Sequence, residues 1–497
     1  WAAWVAPMFW WSGLVVAILT TALCLAVILR RQWADHERLT FPHAEVSLLL
    51  AEGPEAGRRF PPYVYSRLFW AGFAVPCGAM LWNDVGFFVP DFPTLRILAD
   101  YTLLTLHRSF PQLYLKFDFY VFCFAYFTPV NLLLSLWLFH LLAVLQIGLS
   151  HRMGFGPSTP DAGVTWQNYW SIAVFVLWGL WVARRHLCDV ARKALGGARG
   201  VDDAGELLSY RAAFFGAALS IAFTVAWLHQ AGMTPGTAAL LTALELIAHL
   251  GMAKIVAMAG LVSLRVPMSG VGAFKTAMPP HLLTDGTIVV TNLLVALWGG
   301  VAKGFFMPAA FNAARLGDAI SGRKRGLAGA ILAGTVLSLV VCAGAMIALS
   351  YGVGAENFGS YDFTIGNRYT FDYIVQDLKG KTSPEAQPYL PWYGLAGAGL
   401  TALLIFLTYR FPRWPLHPLG FTISFAWPTR GSLLSIFLAW AFKFLVLRFG
   451  GALLYRQLRV VVIGGLLGYV AAVVLSFVID LIFFHGHGHA VHQPPLV

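Results

Sequence analysis

Glu245 and His249, in the stretch ALELIAHLGMAKIV, are four residues apart inside an apolar run. That spacing puts both side chains on one face of a helix, where they can share a proton or a hydrogen bond. Ionisable groups inside hydrocarbon are costly, so the chemistry they suggest is proton coupling or contact with a polar substrate. The plainer alternative is a satisfied polar pair that holds helices together. Lys254 lies nine residues beyond Glu245 and falls on the opposite face of a straight helix. Asp118 and Lys116 stand at the mouth of another apolar run, which also holds Tyr126, Asn131, His140 and Gln146. Lys303 lies between the glycines of GGVAKG, and Lys443 sits in LAWAFKFLVLRFGG. Asp84 and Asp480 fall near the ends of their runs and can simply reach the interface. The tail HGHGHAVH offers His485, His487, His489 and His492, a set that can chelate a metal or be no more than a tail.

The elements that must carry these groups are membrane helices. The chain has 497 residues, 58% of them hydrophobic and 11% charged, which is more apolar surface than a soluble domain can hide. Apolar runs long enough to cross about 30 Å of hydrocarbon recur along it. Candidate spans are 8–30, 65–90, 117–149, 165–183, 210–230, 234–264, 285–316, 326–351, 392–410, 431–448 and 460–484. The expectation is an all-α polytopic protein with about 11–13 transmembrane or re-entrant helices, forming a single helical domain over 1–497. Residues 352–391 read as an extramembrane loop and 485–497 as a His-rich tail. The run at 8–29 lacks the basic flank and cleavage site of a signal peptide, so it reads as a span. The first residue is Trp, and residues upstream are expected to be missing.

Two runs are too long for one crossing. Residues 117–149 are interrupted by Thr128-Pro129, and residues 285–316 by Gly299-Gly300 and again by Pro308. The distribution of basic residues agrees with two breaks. Arg30, Arg31, Arg38, Arg58 and Arg59 place the first loop inside. The basic loops 184–209 and 322–326 also land inside only if both long runs cross twice or re-enter. RFGGALLYRQLR (448–459) comes out external unless the Pro-rich WPLHPLGFTISF (414–425) dips into the membrane as well. Interrupted helices at membrane depth expose backbone groups that lipid cannot satisfy, so they usually line a cavity. Helix kinks packed against neighbours are the alternative. Small-xxx-small spacings at Gly300/Gly304 and Gly464/Gly468 predict close helix packing.

Other chemistries have no footing. HExxH, GxSxG, the P-loop and a GxGxxG after a strand are all missing, so the protein is not expected to be an enzyme and no cofactor is called for. The net charge of +11 is what basic cytoplasmic loops produce and predicts no nucleic-acid partner. Five scattered cysteines suit small core residues.

ERLTFP (37–42), FAYFTPVNLLLSLWLF (124–139), WPLHPLGFTIS (414–424) and FKFLVLRFGGALLYRQLR (442–459) follow one another in an order that resembles the oligopeptide transporter superfamily, with its yellow-stripe-like metal-chelate branch. The resemblance runs through Tyr126, Pro129, Ser135 and Trp137, through Pro415, His417, Pro418 and Gly420, and through Lys443, Arg448, Gly450, Gly451, Tyr455 and Arg456. It is nearest to bacterial relatives, which implies the bacterial inner membrane. The chain departs from them in AKIVAMAG (253–260), where Val256 and Met258 replace the charges of that helix, and in HAEVSLLLAEG (43–53), which lacks the small-residue run. The resemblance implies alternating access, with a peptide or metal-chelate substrate held near the midplane between the two broken runs. Glu245 and His249 would couple protons; Asp118, Lys303, Tyr126, Asn131, His417 and Lys443 are further pathway candidates. The second expectation is a non-transporting structural subunit of a larger membrane complex. A transporter would sit in the bilayer alone or as a homo-oligomer.

The segment 37–53 reads as an amphipathic interfacial element, a gate or strap. Leu39, Phe41, Val46, Leu49 and Leu50 would meet lipid or the bundle. Glu37, Arg38, His43 and Glu45 would face headgroups or cytosol, and Pro42 opens the helix.

Overall fold

Helices joined by short turns make up almost all of the chain. The computed structural model describes residues 2–54, 57–154, 160–196, 202–261, 264–278, 280–298, 306–319, 324–358, 362–380, 389–484 and 488–489. Seven described helices are long and apolar enough to cross a membrane, or eight if the bent pair Asp161–Val182 and Arg184–Ala194 is one span. This is an all-α polytopic integral membrane protein. The number is below 11–13 partly because broken runs yield helices too short to count: Phe119–Phe127 has nine residues and Asp285–Trp298 has 14. Helix Arg67–Phe88, over the expected span 65–90, is long enough with 22 residues but does not count among the seven. The long stretch Leu433–Phe483 also counts once, although Gly451, at φ 61° and ψ −160°, divides it into the two expected spans. Only glycine takes that backbone conformation without strain.

Where a single domain was expected, the chain divides into two compact units. One comprises Trp1–Leu39, Val176–Ala253 and Ser269–Gln387; the other comprises Thr40–Phe175, Lys254–Met268 and Pro388–Val497.

In the first unit, helix Ala2–Arg31 runs along Tyr210–Gln230. Trp227 Nε1 donates to the Trp10 carbonyl at 3.0 Å, and Thr21 Oγ1 lies 2.7 Å from Ser220 Oγ. At the basic end, Arg30 binds Glu206 through Nε (2.7 Å) and Nη2 (2.6 Å), and Asp318 through Nη1 (2.8 Å). Asp318 also takes Arg315 at 3.0 Å and Lys324 at 2.8 Å. Residues 352–391 are more than a loop. They carry helix Asn367–Gly380, whose Asp377 meets Lys275 Nζ at 2.8 Å and Asn292 Nδ2 at 2.9 Å.

In the second unit, helix Arg67–Phe88 packs against the stretch Leu433–Phe483. A Cβ at Gly464 or Gly468 would run into the carbonyl oxygens of Phe69 and Phe73 respectively, and one at Gly72 into that of Val461. The predicted small-residue spacing at Gly464/Gly468 therefore works as backbone-to-backbone packing. Gly300 and Gly304 lie outside the described residues. Thr128-Pro129 breaks its run as predicted, into Phe119–Phe127 and Val130–Arg152. The second break, at Gly299-Gly300, lies outside the described residues. Residues 414–432 are irregular, with short turns at Pro418–Thr422 and Trp427–Gly431 that are almost wholly buried. The strands Thr102–Leu104 and Leu113–Leu115 form an antiparallel pair in the register Leu103↔Tyr114.

Two predictions follow from this packing. Gly468→Leu forces two backbones apart and is expected to destabilise the protein by about 1–3 kcal/mol, seen as a lowered unfolding temperature in detergent. Burial pushes the Asp318 carboxyl up, but Lys324, Arg30 and Arg315 outweigh it and hold it below the ordinary carboxylate range. Its stabilising contribution is present above the unfolded-state value and is lost as pH falls through the depressed one. Acid titration of the folded protein should therefore show a destabilisation that Asp318→Asn removes.

Candidate functional site

Pro129 lacks an N–H and confines Thr128 to an extended conformation (φ −70°, ψ 143°), so helix Phe119–Phe127 stops there. The interruption leaves carbonyls at the helix end without helical partners. Lys443 satisfies them: its Nζ donates to the Tyr126 and Thr128 carbonyls, at 2.7 Å each. Lys443 is buried, with its ammonium 4.8 Å from the Tyr455 ring centre and 5.7 Å from that of Tyr126. Those two rings stack at 5.0 Å, and the Tyr126 hydroxyl donates to the Tyr455 carbonyl at 2.9 Å.

Two more chain ends arrive at the same place. The Thr128 hydroxyl donates to the carbonyl of Ala259, where helix Pro235–Ala259 ends. Gly260, at φ 56°, turns the chain away, and a Cβ there would strike Pro42. The Phe41 N–H donates to the Ala257 carbonyl at 2.8 Å, and Thr40 Oγ1 to that of Met258 at 3.2 Å. Phe41 is almost wholly buried and holds a left-handed backbone (φ 45°, ψ 58°), an outlier for a bulky residue. Pro42 then starts helix Pro42–Leu50. Glu45 of that helix forms an ion pair with Arg459, whose guanidinium lies 5.5 Å from the Tyr455 ring centre and 5.7 Å from that of Phe127.

Four sequence motifs thus meet around one ammonium group: LTFPHAE, FAYFTP, AMAG and the K…YRQLR stretch. A family model for a family of unknown function, DUF6785, matches residues 1–492. The chain belongs to that family. Comparison with curated proteins finds no match.

In this DUF6785 protein the apolar side of the segment 37–53 packs on the protein, with Phe41 and Val46 buried, while Arg38 stays exposed and Glu45 is half-buried. Pro42 is buried as well. Glu45 pairs with Arg459, and His43 Nε2 is buried with no hydrogen-bond partner among the described residues. Burial holds the His43 imidazole below its ordinary range, although the backbone of Gly260 and Leu261 favours the protonated ring, so the ring is neutral at pH 7. Glu37 belongs to the other unit and accepts from Gln32 Nε2 at 3.2 Å.

The remaining sequence-predicted residues take separate places. Asn131 is exposed, and its Oδ1 accepts from the Leu132 N–H at 3.0 Å. The His417 N–H donates to Ser135 Oγ at 2.7 Å, and its Nδ1 accepts from the Leu419 N–H at 3.1 Å. Gly420 packs directly on Ser135, so the FAYFTPVNLLLSLWLF and WPLHPLGFTIS stretches are also in contact. Asp118 Oδ1 accepts from the N–H groups of Tyr120 (2.8 Å) and Val121 (3.3 Å), capping helix Phe119–Phe127 at its start. In the first unit, Glu245 Oε1 accepts from the Val271 N–H at 2.6 Å, at the start of helix Gly270–Ala277. His249 Nδ1 lies 2.8 Å from the Glu245 carbonyl oxygen and 3.4 Å from its Oε2. Lys303, His485 and His487 lie outside the described residues. His489 Nδ1 lies 2.8 Å from Asp480 Oδ1, and no group of three His, Cys, Asp or Glu that could hold a metal occurs among the described residues.

Sequence reasoning named Lys443 and Tyr126 but missed their contact, and it missed Arg459 altogether. The only available signal was an acid in PHAE and a base in YRQLR, each in a segment the resemblance had already marked. Replacing Lys443 with Met strips two buried carbonyls of their donor. Lys443→Met is expected to destabilise the protein by about 2–4 kcal/mol, read as a lower unfolding temperature in detergent.

Proposed function

We propose that this integral membrane protein is a secondary transporter, with the meeting point of chain ends around Lys443 as the fixed core of its transport domain. The observation that carries the reading is that three interrupted segments — Thr40–Pro42, Phe127–Pro129 and Ala259–Gly260 — converge at one buried cation. Discontinuous helices of this kind are how transporters bring backbone groups to a polar site inside the bilayer. The resemblance to oligopeptide transporters supports a peptide or metal-chelate substrate and a bacterial inner membrane. Glu245 and His249 are the proton carriers in this reading, since Glu245 Oε2 makes no hydrogen bond among the described residues and faces the imidazole at 3.4 Å.

One observation favours a second reading, a non-transporting subunit of a larger membrane complex. The apolar window of the helical stretch Lys324–Asn357 has none of its residues buried, against 28–61% in the other candidate spans. A span whose apolar window is left unburied suits a neighbouring subunit.

Two measurements separate the readings. Native mass spectrometry after gentle extraction comes first: the protein alone or as a homo-oligomer supports transport, and stoichiometric foreign subunits support the scaffold. In liposomes under a pH gradient, the transport reading expects uptake of short peptides or metal chelates that Glu245→Gln reduces by about tenfold or more, in line with loss of a proton-transfer group. Uptake of neither class, or uptake indifferent to Glu245→Gln and to the pH gradient, defeats proton-coupled transport.

A further inference from the structure

The second unit holds a cavity of about 690 Å³ away from Lys443. Its wall is built by the end of helix Arg67–Phe88, the turns that follow, the residues leaving the strand pair, and Tyr469 of the last helical stretch.

The charges in the wall are unbalanced in one place. Asp84 lines the cavity and is only 6% exposed. Its Oδ2 accepts from Ser476 Oγ at 2.5 Å, while no described residue donates to Oδ1 or forms an ion pair with the carboxylate. Asp118, also 6% exposed, spends Oδ1 on capping its helix and has no hydrogen bond to Oδ2 among the described residues. Lys116 shares the wall, but its ammonium lies 5.1 Å from the Tyr101 ring centre and is held by the field of Asp118 and Asp100. Arg96 is exposed at the rim. Five aromatic rings complete the lining: Phe87, Phe92, Phe117, Phe119 and Tyr469.

A buried carboxylate with one hydroxyl donor and no ion pair among the described residues is a costly group, and a cation with N–H donors is what relieves it. Aromatic faces attract the same kind of ion through their quadrupoles. A divalent metal fits poorly, because no three-ligand group surrounds the position among the described residues. We propose that this cavity is a binding site for an organic ammonium ion, with Asp84 as the charge partner and the aromatic rings enclosing the ligand's apolar body. The cavity is far larger than an ammonium group alone, so the ligand carries a substantial body. Asp118 adds a second negative charge, and Arg96 weakens cation binding from the rim. This site does not depend on the transport reading; binding is measured without transport, and absence of uptake leaves it intact.

The test uses the full chain in nanodiscs and phenethylamine as the probe, with 2-phenylethanol as its neutral counterpart, followed by isothermal titration. The amine should bind at least about tenfold more tightly than the alcohol, the size of one desolvated charge interaction. Asp84→Asn keeps the shape and an acceptor for Ser476, and it should abolish that preference. Arg96→Glu changes an exposed side chain, leaves the fold alone, and should tighten amine binding about threefold or more. Equal affinity for amine and alcohol overturns the proposal, as does an amine affinity unchanged in a folded Asp84→Asn protein. Should Asp84→Asn fail to fold, Arg96→Glu decides: no tightening overturns the site.

Discussion

Hydrocarbon offers no hydrogen bonds, so every backbone group released where a membrane helix stops must be satisfied from within the protein. The buried ionisable residues are arranged by that constraint. Lys443 serves the carbonyl end of helix Phe119–Phe127, and Asp118 serves its N–H end. Glu245 serves the N–H end of helix Gly270–Ala277. In each case the sign of the side chain opposes the helix dipole at the end it touches, cation at the carboxyl end and anion at the amino end. These charges tolerate burial because each meets oriented peptide groups instead of water. The Thr128 hydroxyl does the same without charge for the terminal carbonyl at Ala259.

The same constraint explains why glycine and small residues collect where interrupted segments meet. A carbonyl that must reach a donor on another segment needs that segment's backbone close by. Gly260 lets Pro42 come against the end of helix Pro235–Ala259, which brings the Phe41 N–H to the Ala257 carbonyl. Gly420 lies on Ser135, and Ser135 Oγ accepts from the His417 N–H. Gly270 lies against the backbone of Glu245 itself, which puts the Val271 N–H in reach of the carboxylate. Close approach and polar satisfaction are therefore one device seen at three places. Phe41 accepts a left-handed backbone as part of it, because Ala257 and the Pro42 contact fix the chain on both sides of that residue.

What could be read from the residues follows from range. Proline acts on its own peptide, so Thr128-Pro129 announced its break, and the hydropathy of each run announced its helix. The i, i+4 spacing of Glu245 and His249 correctly placed them on one face. Which groups would fill the breaks was hidden, because the partners are distant in sequence: Lys443 reaches back 315 residues to Thr128, and Arg459 reaches 414 to Glu45. Periodicity did not announce the Glu45–Arg459 pair for the same reason. It distinguishes an apolar face from a polar one but does not reveal that another segment carries the matching charge. Residues 352–391 looked like a solvent loop because their acids lower the hydropathy, yet Asp377 of that segment is bonded to Lys275 and Asn292.

Capping also decides which buried groups remain free to move a proton. An ammonium has three donors, and Lys443 has committed two of them to carbonyls while the Tyr126 and Tyr455 rings lie beside it. Those donors are spent on holding the broken helix end together. Glu245 differs. One oxygen holds the Val271 N–H, and the other makes no hydrogen bond among the described residues and looks toward His249. The cap therefore occupies only one of the two oxygens. On the transport reading, the proton-carrying pair is Glu245 with its histidine, and Lys443 is the fixed post around which the broken segments are tied.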